Sequence, residues 1–262
     1  MVVDRVVGMK CARRAQYTHR RTLEGTMSSQ TRDREIYLHE NRYEQPKEIF
    51  KHLAALVADR VGVPPGAKVC DAGCAAGEFL YHFLKVHPQA IGTGFDLVPE
   101  LVEKAQSMVP AARFSVGSVT DAARMEAGSQ DFVFMNGVHS SLPEIKPALE
   151  TLVGWTKPGG RVYLFGIFNP YPLDVASRYR AAGDAGDWTT LYIHSRAGVS
   201  RCLDDLLGPD RHTFEPFLLD VDVAPVSDNP FRSWTFRDES GQRLLTNGLC
   251  TLINCYVLEI RP

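Results

Sequence analysis

At 262 residues with 44% hydrophobic content, the chain is long enough to bury one substantial core, and a single domain with additions is the expected architecture. A net charge of −2 provides no surface-wide field to attract nucleic acid or an anionic membrane, and no apolar run approaches membrane-spanning length. The six cysteines (Cys11, Cys70, Cys74, Cys202, Cys250, Cys255) show no CxxC pair and no histidine at zinc spacing, which fits reduced thiols in a cytoplasmic protein and predicts no metal site.

Residues 1–26 hold six Lys/Arg against Asp4 and Glu24, a local excess of +4 that leaves −6 for the rest. With no apolar period, the segment reads as a disordered basic extension ahead of a functional protein starting at Met27, an organelle transit peptide being the alternative. From Arg34 to Val61 the pattern turns helical: Pro46 suits a first turn, and Ile49, Phe50, Leu53, Leu56 and Val57 recur at three- and four-residue spacing. Residues 27–61 are thus a helical cap, separated from the core by the Gly62 to Gly66 break with its Pro64-Pro65 pair.

The stretch from Ala67 to Phe79 organises the rest of the chain. Val69 and Cys70 lead into Asp71, Gly73 and Gly77 come next at spacing four, and a helix-like segment begins at Phe79. A strand, a glycine loop and a helix start in that order make a nucleotide pocket, because glycines admit close backbone approach and the helix start points free N–H groups at the ligand. The dinucleotide fingerprint needs glycine where Ala75 and Glu78 stand. Glu78 at the helix start would also repel a pyrophosphate, so a cationic ligand suits the loop better.

Alternating elements continue: a helix over Phe79 to Val86, strands at Ala90 to Asp96, Arg113 to Gly117 and Asp131 to Asn136, and a helix at Pro99 to Val109. Leu142 to Trp155 reads as helix, Lys157 to Gly160 as the turn ending it, and Arg161 to Phe168 as strand. Residues 172–187 read as a surface loop, Ser195 to Leu207 as a capped helix, Phe214 to Val223 as strand, Trp234 to Leu245 as a hairpin, and Leu252 to Ile260 as the last strand. The pattern predicts an α/β, doubly wound, mainly parallel sheet with N-terminal helices and a β-hairpin addition before the last strand. Ligands then bind at the carboxyl ends of the strands.

The run Asp71-Ala-Gly73-Cys-Ala-Ala-Gly77 resembles motif I of the class I S-adenosylmethionine (SAM)-dependent methyltransferases, with Ala75 replacing the middle glycine. Three more strand ends match in order: Asp96 closing its strand, Ser118-Val119 after the third, and Asn136-Gly-Val-His-Ser-Ser-Leu-Pro143 after the fourth. That last segment departs from the family's Gly-Val-Leu-His-His-Leu-Pro, having Ser140 and Ser141 in place of the two histidines and His139 in place of leucine. The resemblance covers residues 60–168 strongly and the remainder loosely. It implies a Rossmann-like seven-stranded domain over 27–262, with 62–168 as the SAM-binding core and 169–262 as acceptor-side elements and C-terminal strands.

From the same resemblance, Asp71, Gly73, Cys74 and Gly77 belong to the donor loop, and Asp96 is placed to accept the ribose hydroxyls. Leu97, Ser118 and Val119 are placed at the adenine, with Asn136 and Tyr43 completing the cofactor set. Tyr37, His39, Asn41 and Glu44 are further cap residues for the pocket. In-line methyl transfer requires a base only if the acceptor must lose a proton, and the candidates are His139, His194 and Tyr171. Phe168-Asn-Pro-Tyr171 looks like the box that grips a flipped base, but it stands after the fifth strand rather than the fourth, which leaves Asn169 and Tyr171 as substrate-pocket candidates. The expected function is methyl transfer to a small molecule, in secondary metabolism, without nucleic acid or membrane partners. A SAM cyclase that forms azetidine-2-carboxylate and methylthioadenosine, an NAD-dependent oxidoreductase, and a non-catalytic SAM-binding regulator are the alternatives.

Overall fold

β1 (Lys68–Ala72) is an apolar strand buried along all but its first residue, as expected of a central strand covered on both faces. In the computed structural model, which describes residues 29–183, 185–186, 188–225 and 232–262, β1 pairs in parallel with β2 (Ile91–Asp96) and with β4 (Gln130–Asn136). β3 (Ala112–Val116), β5 (Thr156–Ile167), β8 (His212–Pro216) and β11 (Cys255–Ile260) complete a seven-stranded sheet in the order β3-β2-β1-β4-β5-β11-β8. Only β11 runs antiparallel to its neighbours. The strand order reverses between β1 and β4, which opens a crevice at their carboxyl ends.

The period-two alternation of the strands divides the core into two layers. Val69, Phe132, Phe134 and Tyr163 face one side, against α2 (Glu48–Arg60), α3 (Glu78–Val86) and α4 (Pro99–Met108) through Leu53, Phe79, Phe83 and Val102. Cys70, Val133, Met135 and Leu164 face the other, against α5 (Lys146–Trp155) and α6 (Arg196–Leu207) through Leu149, Trp155, Val199 and Leu203. α1 (Ser29–His39) lies on α4, where Arg34 Nε bonds Glu100 Oε1 at 2.9 Å.

Several expectations are corrected. The helical run expected from Arg34 to Val61 is two helices, and Pro46 stands outside α2, whose N-cap is Lys47. The chain turns between them because Tyr43 anchors it, its hydroxyl donating to the Ala76 carbonyl at 2.8 Å. Lys157 to Gly160 is not a turn but the irregular start of β5, with a register shift opposite Gln130 to Phe132. Within the expected loop at 172–187, β6 (Val175–Tyr179) pairs with β7 (Thr189–Ile193) in a hairpin outside the main sheet. Its residues are exposed or half-buried, so no alternation marked it. The strand expected over Phe214 to Val223 is the shorter β8, ending at Pro216, where the missing N–H cannot extend a ladder. β9 (Trp234–Arg237) and β10 (Arg243–Thr246) form the expected hairpin, its turn held by Asp238 Oδ1 accepting the Gln242 N–H at 2.9 Å. The assignment of residues 1–26 lies outside the described residues.

Candidate active site

The loop leaving β1 is held by its own backbone. The N–H groups of Gly73 and Cys74 both donate to the Phe95 carbonyl, at 2.8 and 2.9 Å, and the Gly77 N–H donates to the Cys74 carbonyl at 2.8 Å. Gly73 has φ +81°, and a Cβ there would collide with the Val138 side chain. Gly77, with φ +79°, caps α3, and a Cβ on it would stand 2.9 Å from the Phe114 ring. Ala75 takes a positive φ of 45°, a conformation that costs a non-glycine residue free energy. The Asp96 carboxylate holds it there: Oδ2 accepts the Ala75 N–H at 2.9 Å, while Oδ1 accepts the Val98 N–H at 3.0 Å.

Around this loop is a cavity of about 370 Å³. Asp71, Asp96, Ser118, Val119 and Asn136 line it from the strand ends, with Leu97, Val98 and Leu101 beyond β2. Cys74, Glu78 and Phe79 line it from the loop and α3, and Val138, Leu142 and Phe165 from the β4 and β5 side. Tyr37 of α1 and Lys47, Ile49 and Phe50 at the start of α2 line it from the cap.

Its electrostatics are set by burial. Asp71 is 2% exposed, and burial, joined by the neighbouring Asp96 charge, pushes its carboxyl up to about 8; the Asn136 amide opposes this without closing a hydrogen bond. Asp71 Oδ1 and both amide atoms of Asn136 are buried without a partner. Buried polar atoms left unbonded at a cavity wall are what a polar ligand would satisfy. Burial likewise raises the Glu78 carboxyl, whose Oε1 accepts the Arg42 N–H at 2.7 Å, and the thiols of Cys70 and Cys74.

Of the residues expected to hold the cofactor, Asp71, Gly73, Cys74, Asp96, Leu97, Ser118, Val119 and Asn136 line this cavity. Gly77 and Tyr43 do not; both sit behind the loop, Tyr43 with its ring edge-on to Tyr81 at 5.3 Å. The three expected bases are also elsewhere. His139 is fully buried, stacked on Phe168 at 4.4 Å, with Nε2 against the Ile167 carbonyl at 3.1 Å, and burial pushes its pKa down to about 4. His194 Nε2 lies 3.0 Å from the Leu142 carbonyl, tying the entrance of α6 to the segment after β4. Tyr171 is 69% exposed on a turn whose N–H donates to Asn169 Oδ1. The physical reason is common to His139 and His194: carbonyls of crossing segments had to be satisfied inside the core, and the imidazoles do so.

Sequence reasoning missed Lys47, Ile49, Phe50 and Phe165 as wall residues. The spacing of Ile49 and Phe50 marks a core stripe, and nothing local to Lys47 signals a cavity. Among the described residues no group of three or more His, Cys, Asp or Glu side chains is placed to hold a metal ion. No helix of the described residues is long and apolar enough to cross a membrane.

Residues 69–160 match the family model described as a methyltransferase domain. Over 105 residues the chain is 32% identical to the ubiquinone biosynthesis O-methyltransferase of Xanthomonas axonopodis pv. citri, covering 38% of this chain and 43% of that one. Its counterpart in Xanthomonas campestris pv. campestris is 33% identical over 112 residues, 41% of this chain and 46% of that one. The chain thus spans less than half the length of these curated relatives. Among solved structures, the YcgJ protein of Bacillus subtilis superposes with a TM-score of 0.52 at 12% identity, over 80% of this chain and 97% of that one. A chain from a complex containing the Haloferax volcanii Trm112 methyltransferase activator gives 0.55 at 18% identity, over 87% and 97%. At such identities these likenesses concern the fold.

Proposed function

We propose that this chain, a class I SAM-dependent methyltransferase by its domain and its sheet, moves the donor's methyl group to a small, largely apolar acceptor. The observation that carries this reading is the cavity at the β1/β4 reversal, walled by Asp71, Asp96 and Asn136, where polar atoms of Asp71 and Asn136 are left unbonded. When bound, SAM supplies a sulfonium-activated methyl group. The chain's own residues have then to bind, orient and exclude water.

Asp96 suits the ribose hydroxyls, since it lines the cavity at the end of β2 with a carboxylate, an acceptor for hydroxyl donors. Leu97, 54% exposed beside it, and Ser118-Val119 offer an apolar face and a polar edge for the adenine. Asp71 and Asn136 are supports at the strand ends.

The curated relatives match only about two-fifths of this chain, so the acceptor is argued from the wall. Ile49, Phe50, Phe79, Leu142 and Phe165 make that wall apolar, which favours a compact hydrophobic or aromatic molecule and fits secondary-metabolite tailoring. With His139, His194 and Tyr171 away from the cavity, the rate rests on holding the nucleophile on the methyl axis, worth roughly 7–11 kcal/mol.

The test is incubation with methyl-labelled SAM and a panel of small aromatic and aliphatic hydroxyl and amine compounds. S-adenosylhomocysteine formed only with an acceptor is the expected result. Methylthioadenosine released without one would overturn the transferase reading.

A further inference from the structure

α6 carries Arg196, Ser200 and Asp204 at intervals of four, so the three side chains stand one above the other on a single helix face. None of them lines the donor cavity. That face meets β8, the edge strand of the sheet, whose alternation turns His212 and Phe214 to the same side. His212 Nε2 lies 2.8 Å from the Ser200 hydroxyl oxygen, and its Nδ1 lies 3.7 Å from Asp204 Oδ1. A serine, a histidine and an aspartate are thereby brought together in the order in which a hydroxyl is activated for attack.

A serine–histidine bond alone would tie α6 to β8, and two further features go beyond such a tie. His212 Nδ1 is buried and makes no hydrogen bond, yet it faces the Asp204 carboxylate, which selects the tautomer that leaves Nε2 bare for the serine proton. Burial lowers the His212 pKa, Asp204 and Asp210 oppose it and Arg261 reinforces it, so the ring is neutral at pH 7 and free to take that proton. One turn before Ser200, the Arg196 guanidinium packs on two rings, 4.9 Å from the Tyr256 centroid and 5.4 Å from that of Phe214, and its Nε is buried without a partner. A cation held in the first turn of a helix, where the dipole favours negative charge, is matched by an anion.

We propose that Ser200 is a second reactive centre, a nucleophilic hydroxyl acylated by small carboxylic esters that bear an anionic group, with His212 as base, Asp204 as positioning residue and Arg196 as the partner of the anion. In the first step Ser200 Oγ bonds to the ester carbonyl carbon while its proton passes to His212 Nε2. The bond from that carbon to the alcohol oxygen then breaks, and the alcohol leaves with the proton. In the second step water gives a proton to His212 Nε2 as its oxygen bonds to the acyl carbon. The bond to Ser200 Oγ breaks, the proton returns to the serine, and the carboxylic acid is released. Neither step draws on the methyl donor.

Hydrolysis of 4-acetoxybenzoate, which is anionic, and of its neutral methyl ester by the full chain tests the proposal. Treatment with 4-nitrophenyl diethyl phosphate, followed by peptide mass spectrometry, reads the nucleophile directly and needs no variant. The wild type is expected to cleave both acetates faster than solvent does and to carry the diethylphosphoryl group on Ser200. Ser200→Ala and His212→Gln should each lose about 100-fold or more in kcat, the low end of what a general base contributes. Arg196→Met should raise KM for the anionic ester about tenfold and leave KM for the neutral one in place, a split that lost packing would not produce. In Asp204→Asn the acid limb of the pH–rate profile should move to lower pH, because the charge that raises the His212 pKa is gone. Thermal melts report that each variant is folded. Wild-type cleavage no faster than solvent, cleavage undiminished in Ser200→Ala, or labelling on a residue other than Ser200 would overturn the inference.

Discussion

Asp96 holds the Ala75 N–H at 2.9 Å, so the side chain proposed to receive the ribose also fastens the donor loop to the end of β2. Asp96→Ala should therefore cost twice: about 1–3 kcal/mol in S-adenosylhomocysteine affinity, and a lower melting temperature as Ala75 loses the bond that holds its positive φ. Asp96→Asn keeps one acceptor oxygen and should separate the two, recovering most of the stability but not the affinity. Calorimetry and thermal melts on the same samples read both effects. Wild-type affinity in Asp96→Ala would remove the residue from the ribose site.

Asp71 gives the unliganded protein a distinctive pH dependence. Its folded carboxyl is pushed from 3.8 up to about 8, so between those values the folded state binds the extra proton and stability falls as pH rises. His139 acts oppositely: its pKa drops from 6.5 to about 4 on burial, so stability rises with pH across that interval. The two largely offset below pH 6.5, leaving Asp71 the freer hand from there to about 8, with a limiting slope of about 1.4 kcal/mol per pH unit for one group. Asp71→Asn should flatten the melting temperature over that window. A decline of unchanged steepness in the variant would assign the effect elsewhere.

His139 and His194 are predicted to be structural. Removing the His139 ring takes away its stacking on Phe168 and its bond to the Ile167 carbonyl. His139→Ala should thus lose about 2–4 kcal/mol of stability, with kcat per folded molecule little altered. Tyr171→Phe, at an exposed hydroxyl, should be neutral in both measurements. A collapse of kcat at wild-type stability in either variant would restore a role in proton transfer.

The donor half was readable from the chain because its signals are local. A glycine at positive φ beside Asp71 and an acid closing β2 mark themselves within a few residues. The order of strands and helices then fixes the sheet. Lys47 and Phe165 were not readable, since each becomes a wall only when α2 and β5 converge on the loop from far along the sequence. His139 misled for the same reason: a polar residue after β4 looks exposed until the crossing of β5, Phe168 and α6 encloses it. The hairpin of β6 and β7 left no alternation to find, because neither of its faces is deeply buried.

Lys104 of α4 fastens the cap. Its Nζ donates to the carbonyls of Tyr37, Leu38 and Glu40 at 3.1, 2.9 and 2.9 Å, placing a cation at the C-terminal end of α1, the negative end of the helix dipole. The α1 sequence, SQTRDREIYLH, has no apolar stripe to bury, so its attachment depends on such polar bonds. The Arg34–Glu100 pair, with both side chains about 40% exposed, is screened by solvent and adds little. Lys104→Met should therefore release α1 while leaving the sheet intact. Amide exchange across residues 34–43 should accelerate at least tenfold, with strands β1 and β4 unchanged and the global melting temperature within a few degrees of wild type. Because Tyr37 and Lys47 belong to the cavity wall, S-adenosylhomocysteine affinity should fall in parallel with the lost protection. Addition of that ligand at saturation should restore the protection in part. Loss of protection without loss of affinity would mean that α1 covers the cavity without contributing to binding.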